Sequence, residues 1–292
     1  MTRTFLLSLM MLLILSGCAK HSGQPKTIVL ATPLQISYHS EATLVRIGQL
    51  IDSDQYKDDQ LSQLYYERGV MFSRMGLGAM ARLDFSRAIH ITPDFAPAYD
   101  FLGLYYLSRE EFDNAYEAFD SSIELDPNFS YAYFSRAVAL YYGHKYRLAA
   151  KDIRRYQSLI PDDPYRSVWL YLIEMKINPE KAKQHLLETY KAHSQSHDWG
   201  WQIVALLAGQ LSDQDFIHQA GYSQNNRQLA EQLCEAYFYL GKKMQIEHRD
   251  LLARSYFKLS VANNVYSYVE HRLSLLELRM DSERKEMQPR EL

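Results

Sequence analysis

The stretch APAYDFLGLYYLSREEFDNAYEAFDSSIELDP, residues 96–127, decides the fold. Its small, aromatic and proline positions recur at a fixed step of 34 residues on either side. Pro93, Pro127 and Pro161 form one column, and Gly69, Gly103 and Ala137 a second. Ala81, Ala115 and Ala149 form a third, and Phe85, Phe119 and Ile153 a fourth. Each column has a physical reason. The small residue on a first helix, A, and the alanine on a second, B, let the two backbones approach closely. The large apolar residue four positions after that alanine lies on the same face and fills the space between units. The proline lacks an amide hydrogen and disfavours helix in the residue before it, so helix B ends there.

A period of 34 with these residue types is the tetratricopeptide (TPR) pattern. The expected fold is all-α, a TPR helical-hairpin solenoid with extra C-terminal helices. Such solenoids offer a continuous surface to other proteins, so the sequence asks for partners before it asks for a reaction. Three repeats are expected over residues 62–161, after an N-terminal helical segment at 39–61 whose apolar residues run from Leu44 to Ile51. A degenerate helical region follows at 162–230. At 231–280 the offsets return in Tyr237, Gly241, Ala253, Phe257 and Ser260, with Asn263 and Asn264 in place of the terminating proline and a capping helix after them. Residues 281–292 are charged, aperiodic and expected to be disordered. Arg68 and Arg136, one position before the small residue, are expected to pack their stems and lift their heads into water.

The N-terminus carries the other strong signal. Arg3 precedes an apolar run from Phe5 to Leu15, short for a membrane span and suited to the core of a signal peptide over residues 1–17. It ends in Leu15-Ser16-Gly17-Cys18, which resembles the bacterial lipobox. On that reading Cys18 is diacylated, the new amine is acylated, and Ala19 in place of aspartate directs the product to the outer membrane. Several acyl chains make stable anchoring where one would be marginal. Residues 18–38 are polar with Pro25 and Pro33 and read as a flexible, lipidated tether. At about 5–6 Å times the square root of roughly 20 residues, it sets the body about 25 Å from the membrane. The expected location is therefore the outer membrane, lipid-anchored and facing the periplasm.

Composition excludes several classes. With 12 glycines and 9 prolines in 292 residues, the two make up about 7% of the chain against a usual ~12%, as a helical protein should. After removal of residues 1–17 the chain has 31 basic and 35 acidic residues, a net charge of −4 with no electrostatic footprint for nucleic acid. Lipidated Cys18 leaves Cys234 alone, so no intrachain disulfide forms, and Cys234 reads as a buried thiol. No Gly-rich phosphate loop, H-E-x-x-H or Cys/His pair calls for a cofactor. Ser255-Tyr-Phe-Lys258 matches the S-x-x-K of penicillin-interacting enzymes but has no companion motif, and its Phe257 already belongs to a repeat column. His193 and His197, four apart with His185 upstream, could face a metal, yet the polar segment around them reads as a solvated helix end. The sequence argues against an enzyme.

A binding surface follows from repeat geometry, with fixed positions of helix A lining the concave groove. Tyr66 and Arg74 come from repeat one, Asp100 from repeat two, and Tyr131, Phe134, Tyr141 and Tyr142 from repeat three. Rigid aromatics of this kind dominate binding energy at interfaces. Two readings of that face stand: an outside partner fills it, or the chain's own C-terminal helices or a second subunit do.

Several strings outside the ladder go further. LYYERGVMF (64–72), NAYEAFD (114–120), DPYRSVWLY (163–171), WGW (199–201), FYLGK (238–242) and VANNV (261–265) with EHR (270–272) are similar to the NlpI lipoprotein family over about residues 30–278. The resemblance implies a homodimeric outer-membrane adaptor without catalysis of its own. Its implied partners are a periplasmic tail-specific protease and murein endopeptidases, whose degradation it promotes, and other cell-wall enzymes of growth and division. The alternative from the same class is a TPR lipoprotein of an outer-membrane assembly machine, in barrel insertion or secretin piloting.

Overall fold

The computed structural model describes residues 28–287, so Cys18, the signal peptide 1–17 and the start of the 18–38 tether lie outside the described residues. An extended strap at 28–37 leads into α1 (Tyr38–Ile51). Six helical pairings then follow in a continuous stack: α2 (Asp58–Arg74) with α3 (Gly78–Ile91), α4 (Ala96–Leu107) with α5 (Phe112–Leu125), and α6 (Ser130–Tyr142) with α7 (Tyr146–Leu159) make the three regular repeats. Next come α8 (Pro164–Glu174) with α9 (Pro179–Ala192), and α10 (Trp199–Leu207) with α11 (Asp213–Ala220). The last repeat is α12 (Asn226–Ile246) with α13 (Asp250–Val261), to which α14 (Val269–Met287) adds a final layer. The chain is a TPR helical-hairpin solenoid.

The columns become contacts. A methyl group placed on Gly69 would stand 2.7 Å from the Phe85 ring. On Gly103 it would stand 2.5 Å from Phe119, and on Gly241 2.5 Å from Phe257. So each glycine is the seat of the helix B ring sixteen residues later. The ring also reaches the next repeat, where Phe85 stacks on Phe101 at 4.9 Å. Burying each such ring contributes about 1.5–3 kcal/mol. A second structural column lies in the A–B turn. Gly76, Glu110, His144 and His248 all adopt positive φ, so three non-glycine residues occupy a conformation that costs them energy.

Four expectations need correction. Arg68 and Arg136 do not lift their heads into water. Arg68 grips Asp84 through Nε at 2.6 Å and Nη2 at 2.9 Å, and Arg136 grips Asp152 at 2.6 and 2.8 Å while reaching Asp120 at 2.6 Å. A buried aspartate demands a paired cation, and the guanidinium fork satisfies both of its oxygens. Repeat two replaces the pair by Leu102 and Ala118, both buried. Second, repeat one begins at Asp58 rather than residue 62.

Third, the tether is not free up to residue 38. The Val29 amide donates to the Tyr237 hydroxyl at 2.8 Å, which in turn donates to the Val29 carbonyl at 2.5 Å. The Asn226 carboxamide brackets Thr32, accepting from its amide and donating to its carbonyl at 2.8 Å each. The Leu34 amide donates to the Asn263 carbonyl at 3.0 Å. The strap thus ties the start of the solenoid to its last repeat, using backbone groups that sequence periodicity cannot register. Fourth, the tail assigned to 281–292 is helical as far as Met287, and Asp281 pairs with Arg254 at 2.8 Å.

Candidate functional site

Helix α14 lies over the concave side of the first three repeats. Arg279 pairs with Glu110 at 3.2 Å and donates to the Ser108 carbonyl. The Glu277 carboxylate accepts from Tyr142 at 2.9 Å and from Lys242 at 2.6 Å, and Gln245 donates to it at 2.7 Å. What α14 does not cover is a cleft of about 780 Å³ between helices A of repeats one to three on one side and residues 267–272 on the other. That volume is within the range of ligand sites, and the cleft's open form suits an extended segment.

Of the expected groove residues, Tyr66, Arg74, Asp100, Tyr131 and Phe134 line this cleft together. Tyr66 rests on Phe95 at 4.9 Å and meets Phe101 edge-on at 5.8 Å. Phe134 sits on Tyr156 at 5.2 Å, while Tyr131 stands out with 62% of its surface exposed. Tyr141 and Tyr142 are the exceptions. They are only 7% and 3% exposed, beneath α12 and α14, and the Lys242 ammonium lies 4.8 Å from the centre of the Tyr141 ring. Their hydroxyls and rings serve an internal ion pair, so they are packing residues of the closed end of the groove. For repeat three, self-burial applies to its C-terminal turn, and openness to its first two turns.

Sequence reasoning missed the far wall. Tyr165, Glu235, Tyr268, Glu270 and Arg272 come from α8, α12, the residue before α14 and the first turn of α14, outside the ladder. The Glu235 carboxyl accepts from the Tyr165 hydroxyl at 2.8 Å and from Trp199 Nε1 at 2.6 Å; Glu270 accepts from Tyr239 at 2.9 Å. Acidic residues inside apolar helical stretches, such as Glu235 between Cys234 and Ala236, are the one sequence signal that could have marked them.

The electrostatics of the cleft are unusual. Burial pushes the Asp100 carboxyl up to about 7, with Ser135 and Arg272 offsetting part of the effect. Burial and then the neighbouring Glu270 push Glu235 up to about 8, and burial raises Glu270 as well. By contrast, burial opposes the charge on both Lys242 and Glu277, but their mutual attraction wins, raising the first and lowering the second. One set of carboxyls is directly ion-paired, while the other feels Arg272 only through space.

The histidine and serine candidates go elsewhere. His193 stacks on Trp201 at 3.8 Å and bonds the Thr189 carbonyl, while His185 turns to Glu174 at 3.0 Å. Among the described residues no group of three or more His, Cys, Asp or Glu side chains comes together as a metal site. Ser255 donates to the Leu251 carbonyl of its own helix, and Phe257 fills the Gly241 seat. Cys234 is fully buried against Ser260, and burial holds its thiol protonated. No described helix is long and apolar enough to cross a membrane.

No family model matches the chain. Among solved structures the chain is similar to MamA, at 15% identity over 56% of this chain and 100% of that one, with a TM-score of 0.48. It is also similar to the C-terminal part of a TPR repeat-containing protein from Cytophaga hutchinsonii, at 16% identity over 76% of each chain and a TM-score of 0.43. Yeast Tom70 is similar at 15% identity over 89% of this chain and 63% of that one, with a TM-score of 0.45.

Proposed function

We propose that this chain is an outer-membrane-anchored TPR adaptor that holds protein partners in the cleft between its repeats and its C-terminal helix. The observation that supports it most is the aromatic lining of that cleft, with Tyr66, Phe101, Tyr131 and Phe134 available on rigid helices at no ordering cost. The lipobox-like Leu15-Ser-Gly-Cys18 supports the anchor, and the NlpI-like strings support the partners: a periplasmic tail-specific protease and murein endopeptidases, with other cell-wall enzymes. The adaptor brings an endopeptidase to the protease, so cell-wall cleavage is limited by regulated loss of the cleaving enzyme.

The test is a reconstitution. Purified chain, protease and endopeptidase are mixed, and the endopeptidase is followed by gel. The expected result is faster loss of the endopeptidase when the chain is present, and slower loss when Tyr131→Ala and Phe134→Ala are combined. Equal rates with and without the chain would overturn the reading.

A further inference from the structure

The cleft is lined by more carboxyl groups than cations. Asp100 on α4, Asp163 before α8, Glu235 on α12 and Glu270 on α14 line it, against Arg74 on α2 and Arg272 on α14. Asp100 is only 4% exposed, yet its Oδ1 has no hydrogen-bond partner. Arg272 gives one bond, from Nη2 to the Ser267 carbonyl at 3.3 Å, and its Nε has none. A buried carboxylate with an unpaired oxygen costs free energy unless a cation or donor arrives to meet it. Elsewhere this fold does supply that partner, as Arg68 does for Asp84 and Lys242 for Glu277. Here Arg272 acts on Asp100 and Glu270 through space, its bond going to Ser267, and the aromatic rings lie beside them.

We propose that the cleft takes an extended partner segment in which a lysine or arginine is flanked by apolar or aromatic residues. The cation sits against Asp100 and the Glu235–Glu270 pair, and the flanking side chains lie on Phe101 and Phe134. This rests on the reading of the cleft as the docking surface and adds its chemistry. An acidic segment is disfavoured, because an anion drawn to Arg272 meets Asp100 and Glu270 at once. The tyrosines around the pocket favour a cation as well, since ring faces attract ammonium and guanidinium groups.

The burial that holds these carboxyls protonated gives the interaction a pH signature. The groups facing Asp100 are Tyr66, Ser135 and Arg272; those facing Glu235 and Glu270 are Tyr165, Trp199, Tyr239, Tyr268, Glu231 and Arg272. A cation needs the ionised form. Binding therefore releases protons and weakens as pH falls through the neutral range, by about ten-fold from pH 8.5 to 6 if one carboxyl near 7 must be ionised.

The experiment is calorimetric titration of the full chain with three capped 13-residue peptides of alternating Tyr-Leu and Lys, Gln or Glu residues. At pH 8 the Lys peptide is expected to bind at least ten-fold tighter than the other two. Asp100→Asn should weaken it about ten-fold while leaving the Tm unchanged or raised; a merely structural role would lower the Tm instead. Glu180→Gln, a surface change away from the cleft, should leave the affinity as it was. Equal binding of all three peptides, or an Asp100→Asn variant that binds the Lys peptide normally, overturns the cation assignment but keeps the cleft as a docking surface. Failure of all three peptides to bind overturns both.

Discussion

The regular repeat α4–α5 and the last repeat α12–α13 obey the same columns, yet they end in different environments. In both, a helix A glycine (Gly103, Gly241) seats a helix B ring (Phe119, Phe257) at the same distance. In both, a helix B serine (Ser122, Ser260) donates to a helix A carbonyl twenty-six residues earlier. But α4 lines the cleft with Asp100, Phe101 and Leu104, while α12 packs against α14 and the strap and reaches the cleft through Glu235. The difference shows that repeat chemistry fixes how a hairpin closes, and that chemistry beyond the repeat fixes what its open face meets.

The largest effect should come from the region the ladder does not describe. Lys242→Met strands Glu277 in the interior, and a loss of about 3–5 kcal/mol is expected in urea denaturation. Combining it with Glu277→Leu should recover much of that loss. Arg68→Met, within the ladder, should cost less, because Arg87 still reaches Asp84 at 3.0 Å from the surface. Equal losses would erase the contrast between local and long-range charge pairs.

Next, Gly103→Ala and Gly241→Ala should each cost about 1–3 kcal/mol by forcing the ring out of its seat. Similar values in the two repeats would confirm that the column works the same way in open and covered settings.

The pH dependence of stability separates the two regions further. Asp100 holds its proton up to about 7 in the folded chain against an ordinary 3.8. Between those values the unfolded chain ionises and the folded chain does not, so stability falls as pH rises. Asp100→Asn removes that loss, roughly 2–3 kcal/mol across this interval, and its Tm relative to the unchanged chain should climb by about 5–10 °C between pH 5 and pH 8. The Lys242–Glu277 pair works in the opposite direction. Glu277 is lowered, so its contribution is present above the ordinary carboxylate range and lost on acidification.

The smallest effect belongs to the turn column. His248→Gly replaces a residue at φ 57° by one that adopts it freely. A gain of about 0.4–1 kcal/mol is expected in thermal melts.

Much of this was legible in residue spacing. The period placed three hairpins, recovered the fourth at Gly241 and Phe257, and put Tyr66, Asp100 and Phe134 on one surface. It did not reveal the Arg–Asp pairs, although Asp84 and Asp152 stand in register with each other. It put Tyr141 and Tyr142 in the open groove because nothing in the period says where a later helix will lie. The strap was hidden for a similar reason: its bonds run through backbone groups of residues with no pattern.

By itself, then, the sequence determined the hairpin and its stacking, since those contacts join residues sixteen to thirty-four apart and recur in the same types. Only the tertiary structure decided the site. Tyr142 meets Glu277 across 135 residues and Val29 meets Tyr237 across 208. Contacts made once leave no period to read. They nevertheless set which carboxyls are directly ion-paired and which face the cleft with Arg272 acting only through space.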